Sequence, residues 1–253
     1  MVVEREYRER IAIITINRPE ARNAVNGEVA RAIEDALDEI EHDDDVRVVV
    51  LTGRGTVFSA GADLKMVARG GGMEAMTERG GFAGLVSRSF PKPIIAAVNG
   101  PAVAGGFEIV LACDMVVAAE HAVFGIPEVI RGLFAAGGGL IRLPKRVALP
   151  LAMELALTGD TIDASRAYTV GLVNRVVAAD AVLDEALRLG LRIAQHPPLA
   201  VRSAHRMVRE AVDLDEAAAW ARSRELSIEV FRQPDAVEGA AAFSEKRAPT
   251  WNQ

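Results

Sequence analysis

The sequence predicts an α/β fold followed by an all-helical C-terminal region. Strand-like runs at residues 11–17 (IAIITIN) and 46–52 (VRVVVLT) flank a segment in which Val25, Val29, Ile33, Leu37 and Ile40 recur at helical spacing. Twice, at 46–65 and at 94–112, such a run leads into a loop of small residues and then into a helix start. From residue 180 onward the pattern is helical throughout.

Taken in order, 11–17 is the first clear strand, and Arg18-Pro19 breaks it. Residues 26–41 form an amphipathic helix, and the acidic run 41–45 is its solvated end. Strand 46–52 follows, then Gly53-Arg54-Gly55, then 58–65 (FSAGADLK) with a helix start at Asp63. Residues 66–88, rich in glycine and methionine, read as a mobile, partly helical flap with an apolar face. The run 94–98 ends at the turn Asn99-Gly100-Pro101, and a buried helix starts near Gly105. Short strands at 113–118 and 123–124 come next. Residues 132–139 (GLFAAGGG) lack a P-loop lysine, which argues against a nucleotide phosphate site. Helix continues through 151–157. Asp163 caps a further helix, Gly171 ends it, and 172–177 is extended. Helices at 180–195, 198–212, 214–232 and 234–246 complete the chain, giving a core of 1–179 and a C-terminal region of 180–253. Trp220 and Phe231 would pack that region on the core or on another subunit.

Composition narrows the function. The chain has 253 residues, half of them hydrophobic, enough for one large core with an appendage. A net charge of -6 argues against non-specific nucleic-acid binding. Cys113 is the only cysteine, which excludes a disulfide framework or thiolate cluster, and its apolar helix end makes it a core filler. The four histidines show no metal-ligand spacing and read as surface groups. No 18-residue apolar run exists and the N-terminus is charged, so neither a membrane span nor a signal peptide is expected, and the protein is expected to be cytoplasmic.

Residues 96–114 (AAVNGPAVAGGFEIVLACD) support two readings. In the first, Glu108 merely favours the helix dipole and the glycines make a turn. In the second, the helix start offers free N–H groups to a ligand and burial raises the Glu108 carboxyl. The stretch alone favours the first. The loop at 58–65 reverses that ranking. Two small-residue loops that face each other offer one N–H each to a single oxygen, and Glu128 in 124–128 (FGIPE) adds a second carboxylate. Two carboxylates beside two amide donors suit acid/base work next to a developing enolate.

The chain resembles the crotonase, or enoyl-CoA hydratase/isomerase, superfamily. The matching stretches are NRPEARNA (17–24), FSAGADLK (58–65), AAVNGPAVAGGFEIVLACD (96–114), FGIPEV (124–129), LTGDTIDASRAYTVGLVNRVV (157–177) and FSEKR (243–247). Each is weak alone; together, in order, they span nearly the whole chain. The resemblance implies a spiral of ββα units with an α-helical C-terminal trimerisation region, assembled as a homotrimer or hexamer. It implies Ala60 and Gly105 as oxyanion donors and Glu108 and Glu128 as the catalytic pair that hydrates a trans-2-enoyl-CoA. It places Arg22, Ala60, Gly61, Ala62, Asp63, Leu64, Lys65, Gly105, Phe243 and Lys246 at the acyl-CoA thioester. Arg22 reads equally well as a plain surface charge. No metal or other cofactor is implied, since coenzyme A is part of the substrate. An isomerase, a specialised acyl-CoA dehydratase and a non-catalytic acyl-CoA- or RNA-binding relative are the alternatives. The chain departs from the family pattern at Ala104, Phe107 and 134–136.

Overall fold

The computed structural model describes residues 1–251; the last two residues of segment 180–253 lie outside them. The chain opens with strands β1 (Val3–Arg8) and β2 (Ile11–Ile16), then helix α1 (Gly27–Glu41) and strand β3 (Val48–Gly53). Helix α2 (Leu64–Val67) and the short strands β4 (Met76–Thr77) and β5 (Gly81–Phe82) lead to β6 (Ile94–Val98) and β7 (Ala102–Val103). Helix α3 (Gly105–Ala112), strands β8 (Met115–Ala119) and β9 (Val123–Gly125), and helices α4 (Gly139–Arg146) and α5 (Leu149–Thr158) follow. Strand β10 (Ile162–Asp163), helix α6 (Ala164–Thr169) and strand β11 (Arg175–Val177) close the core. The last four helices are α7 (Val182–Ala194), α8 (Pro198–Ala211), α9 (Glu216–Phe231) and α10 (Pro234–Glu245).

The main sheet runs β1-β2-β3-β6-β8-β11, antiparallel at β1–β2 and parallel elsewhere. Every residue of β3 and β6 is buried, which is why both read as unbroken apolar runs. Helix α1 presents Val29, Ala30, Ile33, Leu37 and Ile40 to the core, and the Asn26 side chain caps it by accepting the Val29 N–H at 3.0 Å. Each large aliphatic buried in this way contributes about 1.5–3 kcal/mol. A smaller sheet, β10-β9-β7, stands beside the first.

Strand β1 lies outside the sequence expectation. Of its six residues only Val3 is buried, so it has no apolar signature; its charged side chains belong to a sheet edge, where they discourage further pairing. Residues 66–88 are also packed more firmly than their composition suggests. Phe82, Leu85 and Val86 are buried, and Arg88 pairs with Asp38 and Glu41 of α1.

Helix α7 lies across β2, β3, β6 and β8. Its Gly190 faces the sheet closely enough that a Cβ there would stand 2.8 Å from Ile11 Cδ1. Helix α8 is fastened through Asp114, which accepts from His205 Nε2 at 2.9 Å, Arg209 Nη1 at 2.8 Å and the Ile94 N–H at 2.7 Å. His205 is therefore a largely buried hydrogen-bond partner of Asp114, a correction to its reading as a surface group. Helices α9 and α10 leave Trp220, Phe231, Val237 and Phe243 exposed. Among the described residues no helix is long and apolar enough to cross a membrane.

Strands β3 and β6 run parallel in register, Thr52 opposite Ala97, so the loops after them leave the sheet at one end. The first is pinned by Asn23, fully buried at φ 53°. Its Oδ1 accepts the Arg18 N–H at 2.9 Å, and its Nδ2 donates to the carbonyls of Arg54 at 2.9 Å and Val57 at 2.7 Å. Asn23→Ala removes these three part-buried hydrogen bonds and lowers the free energy of unfolding by about 2–3 kcal/mol, roughly 1 for each. Urea denaturation measures this, and an unchanged midpoint would show that Asn23 does not brace the loop.

Candidate active site

The site begins where the two loops meet. A Cβ on Gly61 would lie 2.5 Å from Gly105 N, and a Cβ on Gly105 would lie 2.5 Å from Phe82 Cζ and 3.2 Å from Gly61 Cα. Glycine at both positions lets the backbones approach. Gly61 also sits at φ 85°, a left-handed conformation that a side chain disfavours. Beside them Ala104 has φ 54° and ψ -133°, a strained conformation for a residue with a Cβ.

Local hydrogen bonds decide which amides in the first loop remain free. Ser59 Oγ donates to the Asn23 carbonyl at 2.9 Å and accepts the Gly61 N–H at 3.2 Å. The Ala60 N–H donates to the Arg22 carbonyl at 3.0 Å, and the Asp63 N–H to the Val25 carbonyl at 2.9 Å. Ala60 is thus corrected as an oxyanion donor: its N–H already has an acceptor within the fold. Among the described residues the Ala62 N–H carries no such bond, and neither does that of Gly105 at the first turn of α3. Ala62 and Gly105 are therefore the pair of unengaged donors at this junction.

Glu108 lies one turn into α3 and is only 3% exposed. Its Oε1 accepts the Gly139 N–H at 2.8 Å. A Cβ on Gly137 would stand 2.5 Å from Glu108 Oε2, so the glycine run before α4 forms a cradle around this carboxyl. The sequence reading weighed that run as a phosphate loop; its three consecutive glycines, with small residues and amides to offer, suited a carboxylate equally well. Burial pushes the Glu108 carboxyl up to about 7, and the nearby Glu128 adds to the rise. The Gly139 and Gly137 amides and the positive charge of Arg142 oppose it.

Glu128 sits in the 3-10 turn Pro127–Arg131 after β9. Burial raises its carboxyl as well, and its buried Oε2 has no hydrogen-bond partner among the described residues. Phe107, next to Glu108, is wholly in the core against Phe124, their ring centroids 5.7 Å apart. Cys113 is buried too, its thiol pushed up to about 12 by burial, as a core filler should be.

The remaining expected residues divide. Arg22, Leu64 and Lys65 are exposed beside the first loop. Asp63 is occupied internally: it caps α2 by accepting the Lys65 N–H at 3.1 Å and pairs with Arg18 at 3.2 Å. Phe243, 88% exposed, and Lys246 sit at the end of α10, which packs on α9. Neither side chain bonds to the two loops or to the glutamates.

Two loops that leave two amides unengaged beside one buried and one half-buried carboxyl suit acid/base chemistry at a polarised carbonyl. Comparison with known proteins agrees. The family model described as enoyl-CoA hydratase/isomerase matches residues 6–253, and the chain belongs to that family. It is 40% identical over 252 residues to the enoyl-CoA hydratase EchA19 of Mycobacterium tuberculosis, covering 97% of this chain and 94% of that protein. It is 39% identical over 244 residues to the carnitinyl-CoA dehydratase of Salmonella arizonae, covering 94% and 93%. The crystal structure of the enoyl-CoA hydratase EchA1 from Mycobacterium marinum superposes with a TM-score of 0.94 at 47% identity, covering 99% of this chain and 98% of that one. The fold is the crotonase fold.

The raised Glu108 carboxyl makes a pH-dependent contribution to stability. Below about 4.5 the side chain is protonated in the folded and the unfolded chain alike. As pH rises toward 7 the unfolded chain gives up this proton first, so the folded state loses stability relative to it. Glu108→Gln removes the burden. The variant should match the wild type at low pH and exceed it at pH 8 by on the order of 3 kcal/mol. Thermal melts of both proteins across this range measure the gap; a gap independent of pH would show that Glu108 is not held in a desolvated cradle.

Proposed function

We propose that the protein catalyses the reversible syn hydration of a trans-2-enoyl-CoA to a 3-hydroxyacyl-CoA. The observation that carries this reading is the pair of buried, raised carboxyls beside the two unengaged amides of Ala62 and Gly105. The thioester oxygen accepts both N–H groups, which stabilises the negative charge that collects on it as the enolate forms. Glu108 takes a proton from water as its oxygen bonds to C3. Glu128 delivers its proton to C2 as the enolate collapses. The same steps in reverse eliminate water. A carboxyl near 7 is matched to proton transfer at neutral pH, being neither too weak a base nor too weak an acid. The oxygen of Glu128 that lacks a partner is suited to hold the water the reaction consumes.

Hydration is favoured over double-bond isomerisation because both carboxyls are present and both are raised. An isomerase needs one group to move a proton from C4 to C2. A specialised dehydratase runs the same steps on another acyl group. A purely acyl-CoA-binding or RNA-binding role gives no reason to hold two carboxyls near each other in desolvating surroundings at a cost in stability. No redox or metal chemistry enters the proposed steps, and coenzyme A serves as the carrier. Arg22 and Lys65 stand beside the first loop, ready for the phosphates of the carrier. Phe243 and Lys246 would reach the nucleotide end of a coenzyme A held by a neighbouring subunit. That fits a homotrimer or hexamer in which Trp220, Phe231 and Phe243 become covered.

The test is hydration of crotonyl-CoA, followed by loss of enoyl absorbance. Glu108→Gln and Glu128→Gln should each reduce the rate by about 10²–10⁴-fold, the range for a positioned acid or base. Binding of the thioester should persist, since the amides remain. The double variant should lose less than the product of the two single losses, because both groups act on one water. Wild-type hydration rates in both single variants would refute the mechanism. Tight binding without turnover by the wild type would replace it with a binding role.

A further inference from the structure

Arg142 lies on α4, four residues beyond Gly138, and is not one of the groups assigned to the reaction. Its Nη1 donates to the Gly137 carbonyl at 3.4 Å, and its Nη2 donates to the Val86 carbonyl. Gly137 and Gly139 are the two glycines against the Glu108 carboxyl. Val86 belongs to the segment that begins at Phe82, whose ring lies over Gly105. One planar guanidinium thus joins the cradle of the proposed base to the segment that covers a proposed oxyanion donor. The backbone makes room for it: Gly138 has φ 92°, and a Cβ there would stand 2.2 Å from Arg142 Nη1.

We propose that Arg142 is a positioning residue for this active site, holding the Gly137–Gly139 cradle around Glu108 and supplying a positive charge that faces its carboxylate. The proposal deepens the hydratase reading and rests on it for its catalytic consequence. Among the described residues, the charged groups that act on Glu108 are Glu128, from the turn after β9, and Arg142, from α4. Arg142 is faced in turn by Arg146 on its own helix, by Arg209 of α8 and by the Cys113 thiol at the end of α3. Arg146 and Arg209 have partners elsewhere: Arg146 bonds the carbonyls of Leu111 and Cys113, and Arg209 bonds Asp114 and the Ala112 carbonyl. Arg142 remains as the cation that moderates the effect of burial on Glu108.

Removing that charge favours the protonated form of Glu108. A base that must be ionised to act then becomes available only at higher pH. Arg142→Met should therefore move the acid limb of the pH profile of crotonyl-CoA hydration upward. It should also cut kcat by roughly 10- to 100-fold, as expected for a misplaced catalytic group, and leave KM nearly unchanged. Arg142→Lys keeps the charge and should hold the acid limb where the wild type has it. It should still lose part of kcat, because an ammonium cannot bridge two carbonyls as a planar fork does. Carbon-13 titration of the Glu108 carboxyl, assigned with Glu108→Gln, reads the same shift without any turnover. It therefore separates failure of this inference from failure of the hydratase reading. An unmoved Glu108 titration in Arg142→Met overturns the proposal even if activity falls. So does full wild-type kcat in Arg142→Lys, which keeps the inference testable if the methionine variant does not fold.

Discussion

The close approach of Gly61 to Gly105 is the contact on which the rest of the structure depends. Two parallel, fully buried strands deliver their loops to the same end of the sheet. There the loops meet at a distance that no side chain would allow, with Gly105 N only 2.5 Å from where a Gly61 Cβ would be. Holding backbone against backbone has two consequences. It brings two loops whose Ala62 and Gly105 amides have no acceptor among the described residues to one junction, where Ala104 is held in a costly conformation. The side chains of Asn23 and Ser59 help to offset that cost by bonding the Arg54, Val57 and Asn23 carbonyls and the Gly61 N–H.

The second constraint is electrostatic. Glu108 and Glu128 are carboxyls that water would ionise readily, yet the fold buries them near each other and raises both. The protein gains no stability from this arrangement, so the large core must support it. At Glu108 the amides of the glycine cradle and the charge of Arg142 moderate the burden without removing it. The balance leaves Glu108 near 7, within reach of ionisation under working conditions.

Much of this was legible in the sequence because the core follows simple periodicities. The four C-terminal helices have apolar residues at helical spacing and clear breaks at Pro197-Pro198 and Gln233-Pro234, and the structure places them within a few residues of expectation. The buried strands read clearly for the same reason. Strand β1 did not, because an edge strand with five of six residues not buried has no apolar alternation to detect. The motifs brought Glu108 and Glu128 forward, and both carboxyls are raised by burial; in the first loop the resemblance implied the Ala60 amide, which is engaged, while that of Ala62 is not. Sequence shows that Ala60 and Ala62 are both small; only the hydrogen bond from Ala60 to Arg22 shows which amide is already engaged. Likewise nothing in GLFAAGGG reveals that its glycines enclose Glu108, since that contact spans about thirty residues of intervening chain and exists only once α4 docks. His205 was read as a surface group because its partner, Asp114, is brought to it by packing of α8.

The most direct test of the central claim is a crystal structure with acetoacetyl-CoA, a thioester that presents an oxygen at C3 and cannot be hydrated. The account predicts a thioester oxygen about 3 Å from both Ala62 N and Gly105 N, with the C3 oxygen lying between Glu108 and Glu128. A thioester oxygen bound elsewhere, or a C3 oxygen beyond reach of either glutamate, would contradict it.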